Sequence, residues 1–322
     1  MLDCKQTAAL LREWDKILVL SHSSPDGDTL GCASALLRGL VQLGKQVSFR
    51  CADELAKKYQ GLFEGIPLTD FPPEHIVSVD VADEKLLGSL QETYSGKIDL
   101  AIDHHNSHRP FAREIWVEGD SAAAAEMIWL LLKELGVIID KKMAECVYTG
   151  ITTDTGCFRY RNTTPRTHRI AAEIMEMGVD TAAVNQLHFE TKSLAQFAAE
   201  QMELASLEIF CGGKCTMILE PLAVFEQTGA RPEDLDGSVA AMSRQIEGVL
   251  LGVMLKEREN GDIKVSVRAN PPANASALCA KLGGGGHPGA AGCTFPGIDL
   301  QEAAARMKAA CREYLQETGL SR

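Results

Sequence analysis

The chain has no surplus of positive charge. Its 32 Lys and Arg stand against 44 Asp and Glu, a formal net charge of −12 over 322 residues. Proteins that coat long duplex nucleic acid carry a basic stripe, because phosphate contacts dominate that affinity, so this role is excluded. A nucleic-acid substrate would have to be short and held locally, with bound metal supplying positive charge. Cys-x-x-Cys pairs are also missing, although there are ten cysteines. Cys211 and Cys215 flank a Gly-Gly-Lys turn and have no partner pair. The ten therefore read as reduced, buried thiols of a cytosolic protein. No basic start leads into an apolar run and a small-residue cleavage site. The most apolar stretch, residues 122–135, is interrupted by Glu126 and Lys133 and is too short to span a bilayer. Internal repeats and low-complexity segments are absent. The expectation is a soluble, cytoplasmic protein with no membrane partner.

What is present suggests two domains, given the length and an ordinary content of 45% hydrophobic and 24% charged residues. In the first half, β-type runs at 17–21, 46–51, 75–80, 100–103 and 113–117 alternate with helical patterns at 28–43, 122–135 and 141–149. That alternation predicts an α/β fold, a doubly wound parallel sheet, whose ligands would sit beyond the carboxyl ends of the strands. Residues 191–206 form a helical pattern without Pro or Gly and read as a stiff connector. Beyond it the texture changes. Runs at 207–210 and 216–219 flank Gly212-Gly213 as a hairpin, and a helix is expected over 237–246. Further β runs at 249–256 and 263–268 are joined by Asn260-Gly261; a glycine-rich loop at 283–286 and a terminal helix over 300–314 follow. The reading is a catalytic domain (1–190), a connector (191–206) and a smaller α+β domain (207–322), with a cleft between the two domains.

The ends of the β runs carry the chemistry. The first leads into His22, Asp26 and Asp28, the third into Asp80, and the fourth into Asp103-His104-His105. Asp154 follows an apolar helix in Gly150-Ile-Thr-Thr-Asp154. Each alone is most simply an N-cap, a turn residue or a satisfied histidine. Gathered at one end of one sheet, unneutralised carboxylates would repel each other and be costly to desolvate; divalent cations remove that cost. Carboxylates mixed with imidazoles, and no thiolate, favour Mn²⁺ or Mg²⁺ over structural zinc. There are enough ligands for two ions sharing one carboxylate, the arrangement common in phosphate-ester hydrolysis.

In order and spacing, His22-x-x-x-Asp26-x-Asp28, Asp80, Asp103-His104-His105 and Asp154 resemble the four motifs of the DHH phosphoesterase superfamily. The resemblance implies one ion held by His22, Asp26 and Asp80, and another by Asp28, Asp80, His104 and Asp154. Asp80 would be shared, and the attacking water activated between the cations. It further implies that Asp103 orients a histidine through its ring nitrogen, and that His105 faces the scissile phosphate as a donor.

In the C-terminal part, Lys264-Val-Ser-Val-Arg268 precedes Gly283-Gly-Gly-Gly286-His287. Such a glycine run lets backbone amides approach an anion, and an arginine can clamp a phosphate bidentately. The segment resembles the DHH-associated C-terminal domain. The combination resembles the nano-RNase group, oligoribonucleases that also dephosphorylate pAp. From that likeness Arg268, Gly285, Gly286 and His287 are expected to bind substrate, and Arg159 is a candidate for a further phosphate contact. Two positions depart from the group's pattern: Ala269 follows the clamp arginine, and the segment after Asp236 lacks an Asn. The expected partners are short RNA oligonucleotides or nucleotide bisphosphates; a homodimer is left open. Alternatives are a phosphodiesterase for cyclic or linear dinucleotides, a manganese-dependent inorganic pyrophosphatase, and a non-catalytic nucleotide-binding regulator. The last is disfavoured because all six ligand positions carry competent side chains.

Overall fold

The structure, a computed structural model, describes residues 1–232, 235 and 238–321. The chain divides into two compact units, Met1–Thr191 and Lys192–Arg322.

The first unit is built on a wholly parallel sheet of β1 (Ile17–Leu20), β2 (Val47–Arg50), β3 (His75–Val79), β4 (Leu100–Asp103) and β5 (Glu114–Val117), in the order β2-β1-β3-β4-β5. Side chains alternate across a strand, and here both faces find a core. Ile17 and Val19 of β1 join Val77, Val79, Leu100 and Ile102 in the larger cluster. Leu18 and Leu20 join Ile76, Leu87 and Ile98 in a second cluster on the other face. This is why the strands read as continuous apolar runs. The parallel α/β expectation is met.

The longer helices of this unit are α1 (Cys4–Glu13), α2 (Gly27–Gln42), α3 (Ala124–Leu135), α4 (Lys141–Asp154) and α5 (Pro165–Glu176). The Asp26 carboxylate caps α2 by accepting from the amides of Asp28 and Thr29. Thr29 then donates its hydroxyl to Val79 O at 2.9 Å, seating the first turn of α2 on the end of β3. Two differences from the sequence reading bear on the site. Helix α4 does not stop at Thr149; it runs on to Asp154. Gly150 looks like a terminator, but it serves close packing: a Cβ there would lie 2.6 Å from Ala125 Cβ and 2.7 Å from Asp28 Oδ1. Helix α5 was not anticipated; Thr164 caps it reciprocally with Thr167 and Pro165 opens its first turn.

The second unit begins with α6 (Leu194–Ala205), the helical stretch read as a connector. Its sheet has the order β10-β11-β9-β8-β7-β6. The strands are β6 (Glu208–Phe210), β7 (Cys215–Glu220), β8 (Leu251–Glu257), β9 (Ile263–Ala269), β10 (Gly285–His287) and β11 (Ala290–Phe295). Only β7 and β8 pair in parallel. Further helices of the unit include α7 (Ala275–Ala280) and α8 (Leu300–Glu317). Met307, Cys311 and Tyr314 of α8 share a core with Val253, Val265 and Val267. Of the helix expected from Gly237, Ser238–Met242 is helical; Asp236 and Gly237 lie outside the described residues. Among the described residues no helix is long and apolar enough to cross a membrane.

Candidate metal centre

A strand order of 2-1-3-4-5 reverses direction between β1 and β3, which opens a crevice at their carboxyl ends. The sequence places its acidic residues there. His22 lies two residues beyond β1, Asp80 follows β3, and Asp103 ends β4. The Asp80 amide donates to Ile102 O at 2.8 Å, and its φ of +57° is a left-handed conformation. A non-glycine residue holds such a conformation at a cost that the surrounding structure must fix.

Two groups of ligand atoms converge on Asp80. His22 Nε2 lies 3.8 Å from Asp80 Oδ2 and 3.7 Å from Asp26 Oδ1. His104 Nε2 lies 3.5 Å from Asp80 Oδ1, 3.8 Å from Asp28 Oδ2 and 3.7 Å from Asp154 Oδ2. Ligands about 2.1 Å from a single ion are roughly 3–4 Å from one another, so both groups have the spacing of a cation site. Three ligand atoms lie mutually within 4.8 Å in the sets His22/Asp26/Asp80, Asp28/His104/Asp154 and Asp80/His104/His105, and Asp80 turns Oδ2 to His22 and Oδ1 to His104. The tautomers agree with this. His22 Nδ1 bonds to Ser23 O at 2.8 Å and His104 Nδ1 to Ser121 O at 3.1 Å. A ring that donates Nδ1–H to a carbonyl leaves the Nε2 lone pair for a metal.

Electrostatics favour a cation here. Asp28 and Asp80 are 1% and 3% exposed. Burial, then the neighbouring carboxylates Asp28, Asp26, Asp154 and Asp103, push Asp80 well above the usual carboxylate range. Burial and the charges of Asp28 and Asp26 raise Asp154 in the same way, and burial raises Asp28. Asp80 Oδ1 is buried without a hydrogen-bond partner. An orphaned oxygen among carboxylates that resist ionisation, with imidazole nitrogens beside them, is a donor set suited to a hard divalent ion.

Asp103 behaves in the opposite way. It is fully buried; its Oδ1 accepts from His105 Nδ1 at 2.8 Å and its Oδ2 from His108 Nδ1 at 2.6 Å. Burial opposes ionisation, but these two bonds outweigh it and hold the carboxyl below the ordinary range. Asp103 thus orients the imidazoles of His105 and His108, whereas the ring of His104 is set by Ser121. Arg159 lies just after Asp154, with its Nε–H donated to Gly156 O at 2.6 Å.

In the second unit, Gly285–His287 is an edge strand instead of a free loop. A Cβ on Gly286 would lie 2.6 Å from Ala291 Cα, and one on Gly284 would lie 2.1 Å from Gly292 O. The glycines are needed for this close pairing, which is the reason the run is ordered. The register puts Arg268 opposite Ala290, and Ala290 opposite His287. Directly opposed residues share a face, so Arg268 and His287 flank Ala290 on the face away from the buried Val265 and Val267. At about 4.8 Å per strand the two Cα atoms are roughly 10 Å apart. The next row on that face is Ser266, Gly292 and Gly285, a floor of small residues.

Comparisons with known proteins bear on the family and the fold. Residues 16–151 match the DHH family, N-terminal domain, and residues 220–316 match the DHHA1 domain. The bifunctional oligoribonuclease and PAP phosphatase NrnA of Thermus thermophilus is 34% identical over 94% of this chain and 91% of its own. The chain belongs to the DHH family. Among solved structures, an exopolyphosphatase-related protein from Bacteroides fragilis superposes with a TM-score of 0.86 at 22% identity, covering 97% of this chain and 96% of that one. RecJ of Thermus thermophilus in complex with Mn²⁺ superposes with a TM-score of 0.55 at 18% identity, over 96% of this chain and 55% of RecJ.

Within this DHH protein the six residues expected from sequence as ligands come together, and Asp103 and His105 stand beside them. The residues missed are those that hold the ligands. His108 could have been found as the third histidine of 104–108. Ser121, Asn162 and Arg166 carry no local signal, because each has a deciding partner far off in sequence: His104 17 residues from Ser121, Ala122 40 from Asn162 and Glu118 48 from Arg166.

Proposed function

We propose that this metal-dependent phosphoesterase hydrolyses short oligoribonucleotides to 5′-mononucleotides and removes the 3′-phosphate of pAp, with two Mn²⁺ ions as cofactors. The observation that carries the reading is the pair of ligand groups sharing Asp80, one oxygen to each. His22, Asp26 and Asp80 would hold one ion, and Asp28, Asp80, His104 and Asp154 the other. Bound there, two divalent cations polarise a phosphoryl oxygen and lower the pKa of an attacking water. With Nδ1–H given to Asp103, His105 presents Nε2 to the substrate and, when protonated, donates to the phosphate or the leaving oxygen. Arg268 would grip the terminal phosphate, and Gly285, Gly286 and His287 would line its seat, the small side chains allowing backbone amides to approach. Arg159 would add a further phosphate contact. The acidic composition supports short substrates, since a polymer would need a basic track.

The test is a turnover panel with Mn²⁺: pAp, an RNA ladder of about two to five nucleotides, a cyclic dinucleotide and pyrophosphate. The expected result is turnover of pAp and the short RNAs with release of 5′-monophosphates. Turnover of pyrophosphate alone, or of the cyclic dinucleotide alone, would overturn the substrate assignment.

A further inference from the structure

One of the two ligand groups rests on a single piece of backbone, residues 121–125, at the entry to α3. The Ser121 carbonyl accepts from His104 Nδ1 at 3.1 Å. The amides of Ala124 and Ala125 donate to the two oxygens of Asp28 at 2.7 and 2.9 Å. The Ala122 carbonyl accepts from Asn162 Nδ2 at 2.8 Å, and the same nitrogen reaches Asp154 O at 3.1 Å and Oδ2 at 3.3 Å. His104, Asp28 and Asp154 are thus all placed through this segment.

Arg166, at the start of α5, holds the segment from outside. Its Nε donates to Glu126 Oε2 at 2.8 Å, its Nη1 to Glu118 Oε2 at 3.3 Å, and its Nη2 to the Ser121 hydroxyl. Glu118 Oε2 also accepts from that hydroxyl at 3.2 Å. Glu126 is fully buried, so the guanidinium fork answers a charge that would otherwise be costly to desolvate. The other group is held differently. His22 bonds to Ser23 O, and Asp26 accepts from the Asp28 and Thr29 amides.

We propose that Arg166 and Asn162 are positioning residues for one cation site only, that of Asp28, His104 and Asp154, acting through residues 121–125. This rests on the two-cation reading above. Groups that orient metal ligands typically contribute about 10- to 100-fold in metal affinity. A purely structural role would lower stability without favouring one site.

The experiment is Mn²⁺ titration by calorimetry, with electron paramagnetic resonance of the loaded protein. The variants are Ser121→Ala, Asn162→Ser and the charge-neutral double variant Arg166→Gln/Glu126→Gln, each beside the wild type. Ser121→Ala removes one hydroxyl and keeps the carbonyl that His104 uses, so it carries the test even if the double variant fails to fold. The expected result is two binding events in the wild type. In the variants one event weakens about 10- to 100-fold and the other is unchanged, and a mononuclear Mn²⁺ signal persists at two equivalents. Fewer than two events in the wild type would defeat the two-cation reading and this inference with it. Two wild-type events that stay unchanged, or weaken alike, in Ser121→Ala and Asn162→Ser would overturn the positioning role alone.

Discussion

Asp103 takes partners that its place in a tripeptide does not reveal. The tripeptide Asp103-His104-His105 announces a metal site, but adjacent residues on a chain leaving a strand point in different directions. His104 turns to the carboxylates, while His105 folds back onto Asp103. His108, five residues on, takes the second carboxylate oxygen. Asp103→Asn would replace one accepting oxygen with a donor, so one imidazole would lose its partner and His105 its fixed tautomer. The expected outcome is a fall in kcat on pAp of about 10²- to 10⁴-fold, the scale of general acid–base catalysis, with two Mn²⁺ still bound by elemental analysis. Loss of metal instead would assign Asp103 to the cation sites.

At the scale of elements, the site depends on how closely α2 and α4 approach. Gly31 of α2 faces α4; a Cβ there would lie 2.4 Å from Cys146 O and 3.0 Å from Gly150 N, both backbone atoms. Asp28 sits one turn before Gly31, and Asp154 one turn after Gly150. Gly31→Ala should therefore wedge the helices apart. It should cost about 1–3 kcal/mol of stability, as overpacking does, and weaken Mn²⁺ binding; denaturant melts and metal titration would read the two effects. An alanine that leaves both unchanged would show that the helices have room. From sequence, Gly31 and Gly150 look like weak points in helices. Their use becomes visible only when the facing helix is in place.

Across the whole molecule, stability also carries a pH signature that belongs to the second unit. Glu203 of α6 is 1% exposed beside Glu220 and Lys256. Burial, then the hydrogen bond with Glu220 and its charge, push Glu203 up to about 8 from an ordinary 4.5, while Lys256 Nζ pairs with Glu220 at 2.9 Å. The folded pKa lies above the unfolded one, so this group's contribution is fully present below about pH 4.5 and is lost as pH rises through about 8. Glu203→Gln should flatten that part of the pH dependence and melt higher than the wild type above about pH 8. Thermal scans of Mn²⁺-loaded protein would isolate the effect, because bound ions hold Asp28, Asp80 and Asp154 ionised. Parallel curves for variant and wild type would rule out the acid pair.

The amino-acid sequence by itself determined the alternation of strand and helix, the six candidate ligand residues and, through their likeness to the DHH motifs, the reaction class. Each of these depends on local spacing: a residue just past a strand, a period of two against one of 3.6. Only the tertiary structure decided which histidines Asp103 serves and that α4 continues through Gly150. It also decided that the glycine run is a strand, and that residues 121–125 join three ligands from three elements. Those outcomes depend on groups brought together from distant parts of the chain, where contact, burial and a shared backbone are properties of the fold and leave no periodic trace in the sequence.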